Sequence, residues 1–93
     1  MINKNEWLTV GLITSCHGIN GQVKVKSLSD FEERFLKPGM RWLQKENGPP
    51  SVTELISGYK QPGKETYIVK LQGVNTRTQA EQLKKSKILV KTD

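Results

Sequence analysis

V-G-L-I-T-S-C-H-G-I-N-G-Q-V-K-V-K-S-L-S-D-F, residues Val10 to Phe31, holds two strand-like runs joined by a compact turn. Val23 and Val25 alternate with Lys24 and Lys26, the period of a half-buried strand with one basic, solvated face. Upstream, Trp7 to Ile13 is a continuous apolar and β-branched run of strand length. Between the runs, Gly18 and Gly21 bracket Ile19-Asn20. Glycine enters positive φ without a Cβ clash and Asn tolerates it next best, so the segment reads as a shaped turn that sets the register. A two-stranded ribbon cannot stand alone in water. The rest of the chain must supply a sheet or barrel to back it.

Outward from this ribbon, Ser29-Asp30-Phe31-Glu32-Glu33-Arg34-Phe35 predicts one or two helical turns closing a barrel end. Ser29 or Asp30 is the expected cap, and Phe31 and Phe35 share one face. Lys37-Pro38-Gly39 stops that helix. Met40 to Leu43 is a short strand, and Glu46-Asn47-Gly48-Pro49-Pro50 is a loop. Val52 to Tyr59 and Thr66 to Leu71 form a strand–turn–strand unit around Pro62-Gly63. Tyr67, Val69 and Leu71 face one way there, and Ile68 and Lys70 the other. From Val74 to Leu83 the period changes to that of a short surface helix. Thr76-x-x-Gln79 and Thr78-x-x-Glu81 both fit a capping box, and Ala80, Leu83 and Val74 form a narrow apolar stripe. Ile88-Leu89-Val90 is the last strand. Six short strands with one helix near the C-terminus predict an all-β, six-stranded barrel of Greek-key type, without repeats or low-complexity segments.

Composition narrows the function. Leu, Ile, Val and Phe make up 24 of 93 residues, enough for one modest core and against disorder. The net charge is +6, from 15 Lys and Arg against 9 Asp and Glu. That balance favours polyanionic partners, RNA or an RNA–protein particle ahead of a membrane, although a merely solvating lysine surface explains the charge equally well. A single cysteine, Cys16, excludes an internal disulfide and a Cys-rich zinc site. No apolar run reaches the ~20 residues that span a bilayer. The polar start, Met1 to Glu6, has no apolar core of a signal peptide. A cytoplasmic location is expected.

His17 directly follows Cys16, but neighbours in an extended segment point to opposite faces and form no dyad, and no second His completes a metal set. The imidazole either fixes the turn by bonding to backbone or donates to a phosphate or a partner's backbone. Gly18 and Gly21 are no phosphate-cradling loop, because a strand and not a helix follows them. Lys24, Lys26, Arg34, Lys37 and Arg41 are the densest basic region of the first half. On one sheet face they would contact phosphates without reading sequence; otherwise they are ordinary solvated positions. Trp7, Trp42, Tyr59 and Tyr67 suit base stacking, yet a domain of this size needs large core residues, and core is the expected role for most of them. Arg77 is a cation at a helix start, where it opposes the dipole, which points to a tertiary or partner contact. No pair of acids sits beside a nucleophile. No catalytic residue, cofactor or metal ligand is assigned.

With those residues in view, the chain resembles the N-terminal domain of the ribosome maturation factor RimM family. The pieces that carry the likeness are Val10 to Ile13, His17 to Val25, Ser29 to Phe35, the Pro38-Gly39 step and Leu71 to Leu83, in order and at spacing over about residues 7 to 90. The resemblance implies a six-stranded barrel related to the translation-factor and reductase barrels. It implies a monomeric, non-enzymatic assembly factor that binds free 30S small ribosomal subunits and assists head maturation and 16S rRNA processing. Its partners would be rRNA of the head region and small-subunit ribosomal protein nineteen, the latter mainly through a second, PRC-type barrel that lies outside these 93 residues. The positions carried over are His17, Gly18, Gly21, Phe31, Arg34, Phe35, Gly73, Arg77, Ala80 and Leu83. Gln22 stands where the family usually has an acid. The residues expected to touch the particle are His17, Gly18, Asn20, Gly21, Lys24, Lys26, Arg34 and Arg77.

Two other classes compete. A generic RNA-binding barrel of the translation-factor kind predicts binding to naked RNA with a steep salt dependence. A flavin reductase-type barrel predicts flavin quenching of Trp7 or Trp42, but no flavin motif is present, and kinship of fold does not establish chemistry.

Overall fold

A computed structural model describes residues 7–46 and 48–91. The polar start, Asn47 of the loop and the last two residues of the tail lie outside the described residues. The strands are β1 (Trp7–His17), β2 (Gln22–Ser27), β3 (Gly39–Gln44), β4 (Ser51–Lys60), β5 (Thr66–Leu71) and β6 (Lys87–Lys91), with helices α1 (Glu33–Leu36) and α2 (Arg77–Glu81). All pairings are antiparallel, and the sheet closes in the order β1-β2-β5-β4-β3-β6. Strands β3, β4 and β5 form a meander, and β6 returns over α2 to pair with β3, the arrangement that defines a Greek key. Closure leaves no sheet edge unpaired.

The alternation read in β2 holds: Val23 and Val25 are fully buried, and their lysine neighbours face outward. Val10, Ile13, Val69, Leu71, Ile88 and Val90 complete the barrel interior. At Gly58 of β4 a Cβ would overlap the Phe35 carbonyl oxygen, so the backbone after β2 packs directly on this strand. At the β4–β5 turn, Gly63 has φ +71°, and the Lys64 amide donates to the Gln61 carbonyl at 3.2 Å. Proline followed by a positive-φ glycine is the type II pattern.

The two helices close opposite ends of the barrel. α1 packs on β4 and β5 and drives Phe35 into the core, where its ring lies 4.8 Å from that of Tyr67. α2 packs on β1 and β2 and inserts Ala80, followed by Leu83. The helix is shorter than the expected Val74 to Leu83 segment, but it is the surface helix the pattern predicts: only Ala80 of its five residues is buried, with Leu83 and Val74 extending the apolar stripe. Its start follows the predicted capping box: Thr76 Oγ1 accepts from the Gln79 amide at 3.2 Å, and the Gln79 side chain accepts from the Thr76 amide. Thr76→Ala should cost about 1 kcal/mol, seen as a lower urea midpoint at unchanged slope.

Three expectations need correction. α1 begins at Glu33, so Phe31 and Phe35 do not share a helical face; Phe31 is exposed and Phe35 is buried. Neither Ser29 nor Asp30 caps α1, whose N-cap is Glu32 without a side-chain bond. Ser29 Oγ instead accepts from the Phe31 amide at 3.1 Å, holding the chain in a turn before the helix. Of the four large aromatics, only Tyr67 is core. Tyr59 is exposed, and Trp7 and Trp42 are half-buried and meet edge-to-face at 5.2 Å, outside the core cluster.

Candidate nucleic-acid interface

The β1–β2 turn occupies the α2 end of the barrel. His17 pairs with Gln22 across its base, Gly18 and Gly21 take φ +72° and +86°, and Ile19 at the tip is 77% exposed. Gly21 packs so closely on the loop after β5 that a Cβ would meet the Val74 carbonyl. Lys70, on the outer face of β5, ties the two segments together. Its ammonium donates to the Asn20 carbonyl at 2.8 Å, to Asn75 Oδ1 at 3.2 Å and to the Val74 carbonyl. An ammonium has three protons to donate, and here three oxygens meet it. The turn therefore projects as a preformed element.

Lys24 and Lys26 run along the outer face of β2 away from the turn. In the register they stand opposite Ile68 and Thr66 of β5. Among the described residues neither is in an ion pair. Arg77 lies at the same end, on α2, but its guanidinium contacts Glu81 of its own helix at 3.3 Å. That pair answers the conflict with the dipole that the sequence raised, and leaves Arg77 partly committed.

Arg34 is elsewhere. It belongs to α1, so the barrel length separates it from the turn, although only a few residues of sequence separate it from the lysine face. The basic region Lys24–Arg41 thus does not share one sheet face: Lys24 and Lys26 lie on β2, whereas Arg34, Lys37 and Arg41 cluster around α1. Cys16 packs against the core while its neighbour His17 takes the opposite face, so the two form no dyad. Among the described residues no cluster of His, Cys, Asp and Glu suits a metal ion, and no helix is long and apolar enough to cross a membrane.

The residue that sequence reading missed is Lys70. Its outward position was legible, but its partners lie four to fifty residues away, and only the closed barrel brings them together. The turn with its glycines, the outward β2 lysines and the Thr76 capping box occur together on this six-stranded ring. The family model of the RimM N-terminal domain matches residues 8–93. The chain belongs to the RimM N-terminal domain family. A ribosome maturation factor RimM of Prochlorococcus marinus strain MIT 9301 is 88% identical over 93 residues, which is all of this chain and 52% of that protein. A factor of the same name from Crocosphaera subtropica is 51% identical over 89 residues, covering 95% of this chain and 47% of its own length. The crystal structure of a 16S ribosomal RNA processing protein RimM from Pseudomonas aeruginosa superposes with a TM-score of 0.79 at 27% identity, over 90% of this chain and 49% of that one. The chain spans about half the length of the curated relatives it matches.

Proposed function

We propose that this RimM-family domain is a non-catalytic docking module of a ribosome maturation factor. It binds free small ribosomal subunits, on rRNA of the head and beside small-subunit ribosomal protein nineteen, and assists head maturation and 16S rRNA processing. The observation that carries the reading is the preformed β1–β2 turn, fixed by Lys70, beside a β2 face whose two lysines have no ion-pair partner among the described residues. Relatives named as ribosome maturation factors support the choice of particle. Uncompensated lysines along a rigid ridge suit backbone phosphates, which fix position without reading sequence.

Co-sedimentation of the chain with free small subunits and with whole ribosomes tests this at two salt concentrations. Binding to free subunits alone is expected. Equal binding to both that vanishes with salt would reduce the domain to a general RNA-binding barrel. Lys24→Glu with Lys26→Glu should keep the parent melting temperature and weaken subunit binding at least about tenfold, because two phosphate contacts become repulsions. Unchanged binding at low salt would remove the β2 face from the interface.

A further inference from the structure

At the α1 end of the barrel lies a cleft of about 390 Å³, whose wall includes Glu33, Arg34, Lys37, Arg41, Trp42 and Lys91. Four of these side chains are cationic and one is acidic. Among the described residues the ion pairs are Lys60–Glu32 and Arg77–Glu81, so none of the four cations is in a contact ion pair, although Glu33 shares their wall. Arg41 spends its hydrogen bonds on uncharged groups. Its Nε donates to the Arg34 carbonyl at 3.0 Å, and its terminal nitrogens donate to the Met40 and Lys37 carbonyls, both at 2.8 Å. These bonds fix the guanidinium in place without balancing its charge. Burial first, and then the charge of Arg34, push the Arg41 pKa below its ordinary value. Arg34 Nε is buried with no acceptor, and its guanidinium lies 5.7 Å from the centre of the exposed Phe31 ring. On the far wall, the Lys91 ammonium sits 5.4 Å from the Trp7 ring and 5.5 Å from the Trp42 ring.

Four cations against the one carboxylate of Glu33 leave an excess of positive charge, and a bound anion would relieve that repulsion while accepting hydrogen bonds from the cations. The cleft also has an indole in its wall. Charged groups beside a flat apolar ring match a strand in which phosphate and base alternate, and stacking on tryptophan tolerates any base. We propose that this cleft is a second nucleic-acid site, taking a backbone phosphate of single-stranded RNA between Arg34, Lys37 and Lys91 with a neighbouring base against Trp42. It rests on the RNA-binding part of the function proposed above, but lies at the other end of the barrel from the β1–β2 turn. A domain that holds RNA at both ends would bridge two segments of one folded RNA. Arg41 acts here as a positioning residue, locking α1 to β3.

The test is fluorescence anisotropy of a labelled oligouridylate titrated with the 93-residue chain, repeated across a range of salt. Arg34→Gln with Lys37→Gln should weaken binding about tenfold or more and lower the single-strand salt slope by roughly 1.4, about 0.7 for each lost phosphate contact. In a Trp7→Phe background, oligouridylate should quench the remaining fluorescence of Trp42. If the double variant melts early, Lys37→Glu alone, at an exposed side chain, should still weaken binding. Parent-like affinity in a folded cleft variant would overturn the proposal. Equal affinity for oligoglutamate without quenching would also overturn it, in favour of an acidic protein partner. Co-sedimentation separates the two readings: a cleft variant that still pellets with free subunits but binds oligouridylate like the parent sinks the cleft alone. A chain that binds oligouridylate through the cleft but never pellets with subunits sinks the proposed function alone.

Discussion

Gly21→Val is expected to destabilise the barrel by about 2–4 kcal/mol, lowering the melting temperature by roughly 10–20 °C for a domain of this size. Two separate costs add. The residue sits at φ +86°, where a β-branched side chain is strained, and its Cβ would press on the Val74 carbonyl with the Val74 carbon only 2.7 Å away. Backbone cannot move aside as a flexible side chain can. Gly18→Ala separates the two costs, because Gly18 shares the positive φ (+72°) but has nothing within 4 Å of the place its Cβ would take. It should lose no more than about 1 kcal/mol. If Gly21→Val melts no lower than Gly18→Ala, the close approach between turn and loop is wrong. If it melts like the parent, the turn geometry is wrong as well.

The turn, β2 and the start of α2 were legible because their signals are local. Val23 and Val25 declare a buried face within four residues, and Thr76 and Gln79 meet within one helical turn. α1 was harder to read. The spacing of Phe31 and Phe35 imitates a helix, but Ser27 Oγ donates to the Ser29 carbonyl at 2.8 Å and Ser29 Oγ captures the Phe31 amide. These bonds outcompete helix formation over that stretch, and nothing in the sequence weighs one against the other. The tryptophans were misplaced for a different reason. The interior of a six-stranded ring is narrow, and it is filled by Val, Ile and Leu and closed by Phe35 and Tyr67. Trp42 belongs to the outer face, paired with Leu89, which is 2% exposed yet outside the core cluster. The candidate site was half legible. The turn and its lysines fall together as expected, whereas Arg34 departs with α1, because a strand that runs the barrel's length carries its two ends to different neighbours. The cleft cations required the fold: Lys91 comes to line the same cleft as Arg34 only when β6 closes the ring.

Phe35→Ala should have the larger effect, about 3–5 kcal/mol, out of the 5–15 kcal/mol that holds a typical domain folded. α1 is four residues long, far too short to persist through its own hydrogen bonds. Its anchor is the Phe35 ring, 1% exposed, tilted 31° to Tyr67 and filling the space over Gly11, where a Cβ would lie 2.8 Å from the ring. Alanine leaves a ring-sized void between backbones that cannot collapse, because the barrel strands around it are cross-paired. Urea unfolding measures the loss, and Phe35→Leu should recover most of it, costing under about 1.5 kcal/mol relative to the parent. The consequences should be uneven. Arg41 is held by the Arg34 and Lys37 carbonyls, so loosening α1 disperses the cleft cations, whereas the turn at the other end keeps its Lys70 clamp. Hydrogen exchange should therefore accelerate at the α1 amides before those of α2. A Phe35→Ala loss below about 1 kcal/mol, or uniform loss of protection at both ends, would mean that α1 is held by something other than this ring.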